Sequence, residues 1–511
     1  VPCYGRIDGN VRNRAGPRVS RLDTYCQYDA VGLAELVRRG DAQATDLVDT
    51  AIEAIEAANP RVNAVIHRSF ERARDAAKTI EISRPFAGVP FLLKDLLSGY
   101  AGERLGNGSR VYDGFVAPDN APLVQRYLDA GLLILGKTNT PEFGLMPVTE
   151  PAANGPSRNP WDPDRTPGGS SGGAGAAVAS GMVPAAHGGD GGGSIRIPAS
   201  CCGLFGMKPS RGRNPWSLPY HVWLDGVVEH VLTRSVRDSA ALLDATALHA
   251  HETSLPQPEA GFLAEVSAPG PRLRIGVIRE PLLEATFADE CVEGLERTAR
   301  LCTDLGHEVV DAAPPIDRQR FATAFARMLC AEVAAELTNA AAILNRRVRR
   351  DEFEAITWAL GLLGRSIPAV ELVQAQRDIN MIAGEFAAWT TNFDVVLAPT
   401  LAEPAIPLYS LQPRGFEAQL LELLGVLRAG PVLRGLGMVD KLAADAFRFI
   451  PTTPLFNMTG QPAMSVPLHW SATDLPVGMH FSAQIGEEGK LFRLAGELET
   501  AAPWQDRRPS M

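Results

Sequence analysis

Between Gly168 and Pro198 the chain reads GGSSGGAGAAVASGMVPAAHGGDGGGSIRIP, a run with few side chains large enough to build a core. It holds a pair of serines wrapped in glycines and, further on, a serine preceded by three glycines. Each glycine costs backbone entropy on folding and buries no side chain. Packing therefore does not account for so many of them, and they are expected where backbone N–H groups must approach another molecule closely. The stretch reads as a site and the chain as an enzyme. Pro167 to Gly189 carries no charge, yet Gly, Ala and Ser dominate it and the Leu, Ile and Phe density of a membrane span is missing.

The rest of the chain supplies strands and helices around this site. Asp29 to Val65 predicts two helices: Leu33, Leu36 and Val37 make one apolar stripe, and Leu47, Val48, Ala51, Ile52 and Ile55 make another, ended by Asn59-Pro60. Gly88 to Leu97 (GVPFLLKDLL) reads as a buried strand entering a turn, Gln125 to Ala130 as helix, and Leu132 to Leu135 as strand. Ala174 to Ala179 is helix-compatible and small enough to pack closely on a sheet. A strand at Leu273 to Ile278, a helix at Asp289 to Leu305 stopped by Gly306, a strand at Glu308 to Val310 and another at Phe393 to Leu397 ended by Pro399 give a β–α–β rhythm. The class is α/β: one large domain over 26–511, with a central mixed, twisted sheet covered by helices on both faces. The Leu- and Val-rich segment 419–436 reads as a core or lid helix pair, or as a hydrophobic funnel to the site.

With 45% hydrophobic and 21% charged residues, the chain has ample material for a large core. Its net charge of −10 gives no electrostatic footprint for nucleic acid or an anionic membrane. Seven scattered cysteines without CxxC spacing suggest neither a zinc site nor a disulfide framework, so a reduced, cytoplasmic setting is expected. The opening VPCYGRIDGNVRNRAG has no apolar signal-peptide core and begins with Val, as a trimmed start would. A loosely held extension is expected over 1–25.

Three catalytic readings compete. Gly131, Gly136, Lys137 and Thr138 satisfy the letters of a phosphate loop, but the four residues between the glycines, Leu132 to Leu135, read as a strand rather than a flexible turn. Gly168 to Gly172 satisfies G-x-S-x-G, but Asp162 to Pro167 before it cannot be the central strand a nucleophile elbow needs. The third reading joins both serine clusters to a lysine. The N–H groups of Gly191, Gly192, Gly193 and Ser194 can converge on a developing oxyanion, with Ser194 as nucleophile. A serine needs a base. Lys94, among Phe91, Leu92, Leu93, Leu96 and Leu97, reads either as a desolvated base or as a lysine paired with Asp95. His187, the nearest histidine in sequence, reads as structural.

These segments together resemble the amidase signature family: Gly88-Val89-Pro90 with Lys94-Asp95, Leu135 to Glu142, Arg158-Asn159-Pro160-Trp161, the Gly168 to Pro198 stretch, and Asn457 to Pro462 with Pro467 and Gly478. The likeness runs in order from about residue 29 to the end. It implies a Ser–cis-Ser–Lys set of Ser194 as nucleophile, Ser170 as bridge and Lys94 as base, with a cis Gly169–Ser170 peptide and no metal or organic cofactor. Ser171 is then a supporting hydrogen-bonding residue, and Asp190 and Arg196 hold the loop. Two positions depart from the family pattern: Gly189 where Thr is common, and Gly191. Three glycines before Ser194 imply a more flexible loop or room for a bulky acyl group.

Within the family, Leu204 to Gly212 and the closing Pro503-Trp504 and Arg507-Arg508-Pro509 resemble the branch of nylon-oligomer, aryl-acylamide and urethane hydrolases. That branch implies a small, largely apolar amide or carbamate as substrate, a monomer or homodimer, and Cys330 on the substrate side; the competing reading of Cys330 is a buried core thiol. The alternatives are a glutamine-hydrolysing amidotransferase subunit serving charged tRNA and, from another class, a nucleotide-binding module on Gly131 to Thr138.

Overall fold

The computed structural model describes residues 22–217, 222–412, 430–435, 437 and 447–510. Most of the expected extension, 1–21, and most of the Leu-rich segment 419–436 lie outside the described residues. The end of that extension is built: Leu22–Tyr25 is a short helix, and the buried Tyr25 donates its hydroxyl to the Met182 carbonyl at 3.2 Å.

Among the described residues, eleven strands form one mixed sheet. In chain order they are β1 (Val65–Arg68), β2 (Pro90–Lys94), β3 (Leu133–Thr138), β4 (Ala185–Asp190), β5 (Phe205–Lys208), β6 (Val228–Thr233), β7 (Arg274–Val277), β8 (Glu308–Asp311), β9 (Val395–Pro399), β10 (Ala463–Trp470) and β11 (Pro476–Ser482). Their spatial order is β1-β3-β2-β4-β6-β5-β10-β11-β9-β7-β8, with helices flanking the sheet. The late hairpin β10–β11 thus sits inside the sheet and joins β5 to β9. The expected strand at 132–135 is β3, buried throughout, which disposes of the phosphate-loop reading: Lys137 and Thr138 are sheet residues.

Outside 419–436 the expected helices are present, with some boundaries moved: the one expected at Gln125 to Ala130 is Pro122–Asp129, and the one expected from Ala174 starts at Gly172. Ala30–Arg39 is capped by the Asp29 side chain on Gly32 N–H (2.9 Å) and closed by Gly40 in the left-handed region. The second helix, Ala44–Val62, runs through Pro60 and stops at Asn63, three residues later than expected. Pro60 faces solvent near the helix end, where the carbonyl it leaves unpaired can be hydrated.

The glycines also do more packing than their number suggested. Gly172–Ala179 is a helix buried along its whole length. A Cβ on Gly172 would come within 2.3 Å of Thr149 Oγ1, and one on Gly173 within 2.4 Å of Asn139 N. These glycines let a helix press its backbone against the segment after β3, so part of the run serves close packing and not ligand approach.

Register brings the reactive segments together. β2 runs parallel to β4, with Phe91 opposite Ala185 and Leu92 opposite Ala186, which carries Lys94 level with Gly188. Both strands therefore end at one edge of the sheet, Lys94 closing β2 and Asp190 closing β4. Phe91, Leu92 and Leu93 are fully buried, each adding about 1.5–3 kcal/mol that holds the strand in place. Helix Arg318–Ile343 packs on both Ala355–Ser366 and Ala369–Thr390, and it and Ala355–Ser366 send side chains over this edge. Among the described residues no single helix is long and apolar enough to cross a membrane.

Candidate active site

At the sheet edge, Lys94 Nζ donates to Ser170 Oγ at 2.7 Å and to the Gly189 carbonyl at 3.3 Å. The amine is almost wholly buried, and burial pulls its pKa down to about 7 against the opposing influence of Asp190 and Glu229. No ion pair with Asp95 forms: one Asp95 oxygen accepts from Gly106 N–H at 2.9 Å. Lys94 is thus desolvated and not paired with Asp95. The Gly169–Ser170 peptide is cis, and Lys94, Ser170 and Ser194 line a single cavity.

The neighbours of Lys94 hold its backbone. Its N–H donates to His187 Nδ1 at 3.3 Å, so the ring proton sits on Nε2, which meets Glu229 Oε1 at 3.1 Å. Burial lowers the His187 pKa, so the neutral ring is a structural prop, as expected. Ser98 Oγ donates to the Lys94 carbonyl, and Lys137 Nζ donates to the Ser98 carbonyl. Burial brings that second lysine down to about 8. Sequence reasoning saw Lys137 only as a phosphate-loop lysine; a lysine inside an apolar strand next to β2 was the signal for a support.

The glycine turn is tied down by Asp190. Its Oδ1 accepts from Gly193 N–H (2.8 Å), its Oδ2 from Ile195 N–H (3.1 Å), and Arg196 grips both oxygens at 2.9 and 3.0 Å. Burial alone would raise this carboxyl, but Arg196, with Lys208 and Asn457 behind it, holds it well below the usual carboxylate range. Asn457 donates to the Asp190 carbonyl and carboxylate at 2.9 Å each, and His480 Nε2 accepts from Arg196 at 2.9 Å. This corrects one expectation. Gly193 N–H points at Asp190, so the donors left for an oxyanion are those of Gly191, Gly192 and Ser194. Ser171 behaves as a support, exchanging hydrogen bonds with Gly189 N–H and carbonyl at 3.2 Å.

Two cavities meet at Ser194. One, of about 490 Å³, contains Lys94, Ser170, Gly189 and Gly191. The other, of about 510 Å³, runs past Gly192 and Ile197 between Phe325, Cys330, Leu360 and Phe447. The Cys330 thiol is buried, as the core-thiol reading expected, which raises its pKa to about 12, and it lines the second cavity.

A family model for amidases matches residues 46–492. The chain belongs to the amidase family. The amidase is 34% identical to a 6-aminohexanoate-cyclic-dimer hydrolase of Pseudomonas sp. (strain NK87), over 96% of this chain and 98% of that protein. It is 36% identical to a putative amidase, AmiC, of Mycobacterium leprae (strain TN), over 94% and 97%. A solved structure of 6-aminohexanoate cyclic dimer hydrolase complexed with substrate aligns at a TM-score of 0.84 and 33% identity, covering 95% of this chain and 99% of that one. The amidase is thus a hydrolase of carbon–nitrogen bonds in amides.

Proposed function

We propose that the amidase is a serine hydrolase that cleaves small, largely apolar amides, and carbamates of similar shape, through an acyl-enzyme on Ser194. The observation that carries this reading is the buried Lys94 amine, brought to about 7 and set 2.7 Å from Ser170 Oγ in the cavity that Ser194 shares. Near neutral pH such an amine is substantially uncharged and can accept a proton, which an exposed lysine cannot.

Neutral Lys94 takes the Ser170 proton as Ser170 takes that of Ser194, and Ser194 Oγ attacks the carbonyl carbon. The N–H groups of Gly191, Gly192 and Ser194 receive the negative oxygen. The proton then returns through Ser170 to the departing nitrogen, and water, activated by the same relay, releases the acid. Because the relay approaches from the Lys94 side, the leaving amine occupies the cavity that holds Lys94 and Ser170, and the acyl part lies past Gly192. The largely apolar second wall favours an uncharged acyl group, and the relative that acts on 6-aminohexanoate cyclic dimer supports a small amide.

Intact-mass spectrometry with activated anilides, aryl carbamates and aryl esters tests the reading. An acyl or carbamoyl adduct is expected on the unaltered chain and none on Ser194→Ala; labelling that survives in Ser194→Ala would overturn the nucleophile. Glutamine assayed beside an anilide separates the alternative, since turnover of glutamine and not the anilide would replace the apolar-amide reading.

A further inference from the structure

Both cavities converge on the same three residues, Gly144, Ser194 and Trp223. Gly144 and Ser194 are small; Trp223 is the only large side chain the two spaces share. Its benzo edge stands over the glycine turn: a Cβ on Gly191 would lie 3.2 Å from Trp223 Cε3, 3.3 Å from its Cζ3 and 3.0 Å from Val227 Cγ2. The room that Gly191 leaves is thus filled by the protein itself. It is not free volume for the acyl group, one of the two outcomes the sequence suggested.

The residue is held from several directions. The backbone N–H of Trp223 donates to Glu332 Oε1 at 3.0 Å, and Phe325 meets the indole edge-on at a centroid distance of 6.2 Å. Asn457, which also binds Asp190, donates to the Gly226 carbonyl at 2.9 Å and so anchors the end of the same turn. Trp223, Leu224 and Asp225 all lie in the left-handed region, with φ of 53°, 51° and 59°. Three consecutive non-glycine residues rarely adopt it, and they do so only where the surroundings over-determine the conformation.

We propose that Trp223, seated on Gly191, is the specificity wall of the amidase: it partitions the space around Ser194 and sets how wide a substrate can be on the amine side. The assignment of sides rests on the proposed reading above. A wall of this kind acts on width at the junction more than on length farther out. The substrate class it selects is an amide or carbamate of two slim arms joined at a planar linkage, with bulk carried away from the scissile bond.

The test is a matrix of kcat/KM values for acetanilide, hexananilide and N-acetyl-1-naphthylamine, with Trp223→Ala, Trp223→Phe, Gly191→Ala and the Gly191→Ala/Trp223→Ala double variant. Trp223→Ala is expected to shift the naphthyl-to-phenyl ratio toward naphthyl by about tenfold or more, the scale of pocket discrimination by size. Trp223→Phe, which retains an aromatic partner for Phe325, falls between. Gly191→Ala is expected to slow all three substrates by displacing the indole, and removing the indole in the double variant is expected to recover the loss. An unchanged ratio in both Trp223 variants, or a double variant as slow as the two single losses multiplied, would overturn the wall. Labelling of Ser194 by an activated ester in the unaltered protein reports separately on the nucleophile, so the two failures are distinguishable.

Discussion

The two sides of Ser194 are built on opposite principles. Toward the strands, polar groups are buried and met: Asp190 by Arg196, His187 by Glu229, and the Lys94 amine by Ser170 and a carbonyl. Toward the helices, the wall is mostly hydrocarbon and aromatic, from Phe325 through Leu360 to Phe447. On the first side a small displacement changes a hydrogen bond and hence the chemistry; on the second it changes only how well a surface is filled. Substitutions on the strand side should therefore move kcat or stability, and those on the helix side should move KM.

The sharpest break of that contrast comes from Lys94→Met. Loss of the base is expected to lower kcat by on the order of 10³-fold or more, while the urea midpoint holds or rises because a costly buried amine has been removed. A large fall in stability instead would make Lys94 a structural ion and not a base. Asp190→Asn comes next. It leaves the buried Arg196 without its countercharge and sets an amide NH₂ against one of the two N–H groups, of Gly193 or Ile195, that the two carboxylate oxygens accept from. A loss of about 3–5 kcal/mol in urea unfolding is expected, with turnover falling as the donors lose their aim.

Only part of this was legible in the chain. The composition of their own segments, a lysine among leucines and serines among glycines, marked the places of Lys94, Ser170 and Ser194, but left Lys94 open between two readings and did not separate Ser170 from Ser171; the set of three was implied by the family resemblance. Which N–H the turn aims outward was not legible, because it depends on the Asp190 side chain reaching Gly193. Nor were the packing glycines, Gly172 and Gly173, separable from the site glycines, since the contact that demands them is with residues more than twenty positions earlier. Strands β2, β3, β7, β8 and β9 were recovered from apolar runs and the other strands were not, while Pro60 misplaced a helix end because solvent on that face tolerates it. Trp223 gave no signal at all: nothing in Val222-Trp223-Leu224-Asp225 marks three left-handed residues, and its partners come from distant helices.

The pH profile sharpens the comparison further. Lys94 must be uncharged to accept a proton, so kcat/KM is expected to fall about tenfold per pH unit below an inflection near 7 and to level off above it. If His187 were the base, the inflection would lie below 6.5, since burial lowers that group. The smallest effect belongs to the helix side: Leu360→Ala and Cys330→Ala are expected to raise KM a few-fold with kcat nearly unchanged, in steady-state assays with hexananilide. A kcat loss there comparable to that of Asp190→Asn would erase the distinction between the two sides.

The placement of the β10–β11 hairpin has a consequence for how the enzyme comes into being. A nascent chain emerging from the ribosome displays Lys94, Ser170 and Ser194 well before it has delivered the hairpin that bridges β5 to β9 and the Asn457 that braces the glycine turn. The turn can therefore take its final shape only after residue 457 has been made, and a stop between residues 194 and 457 yields a polypeptide that owns these three groups but not the frame that aims them.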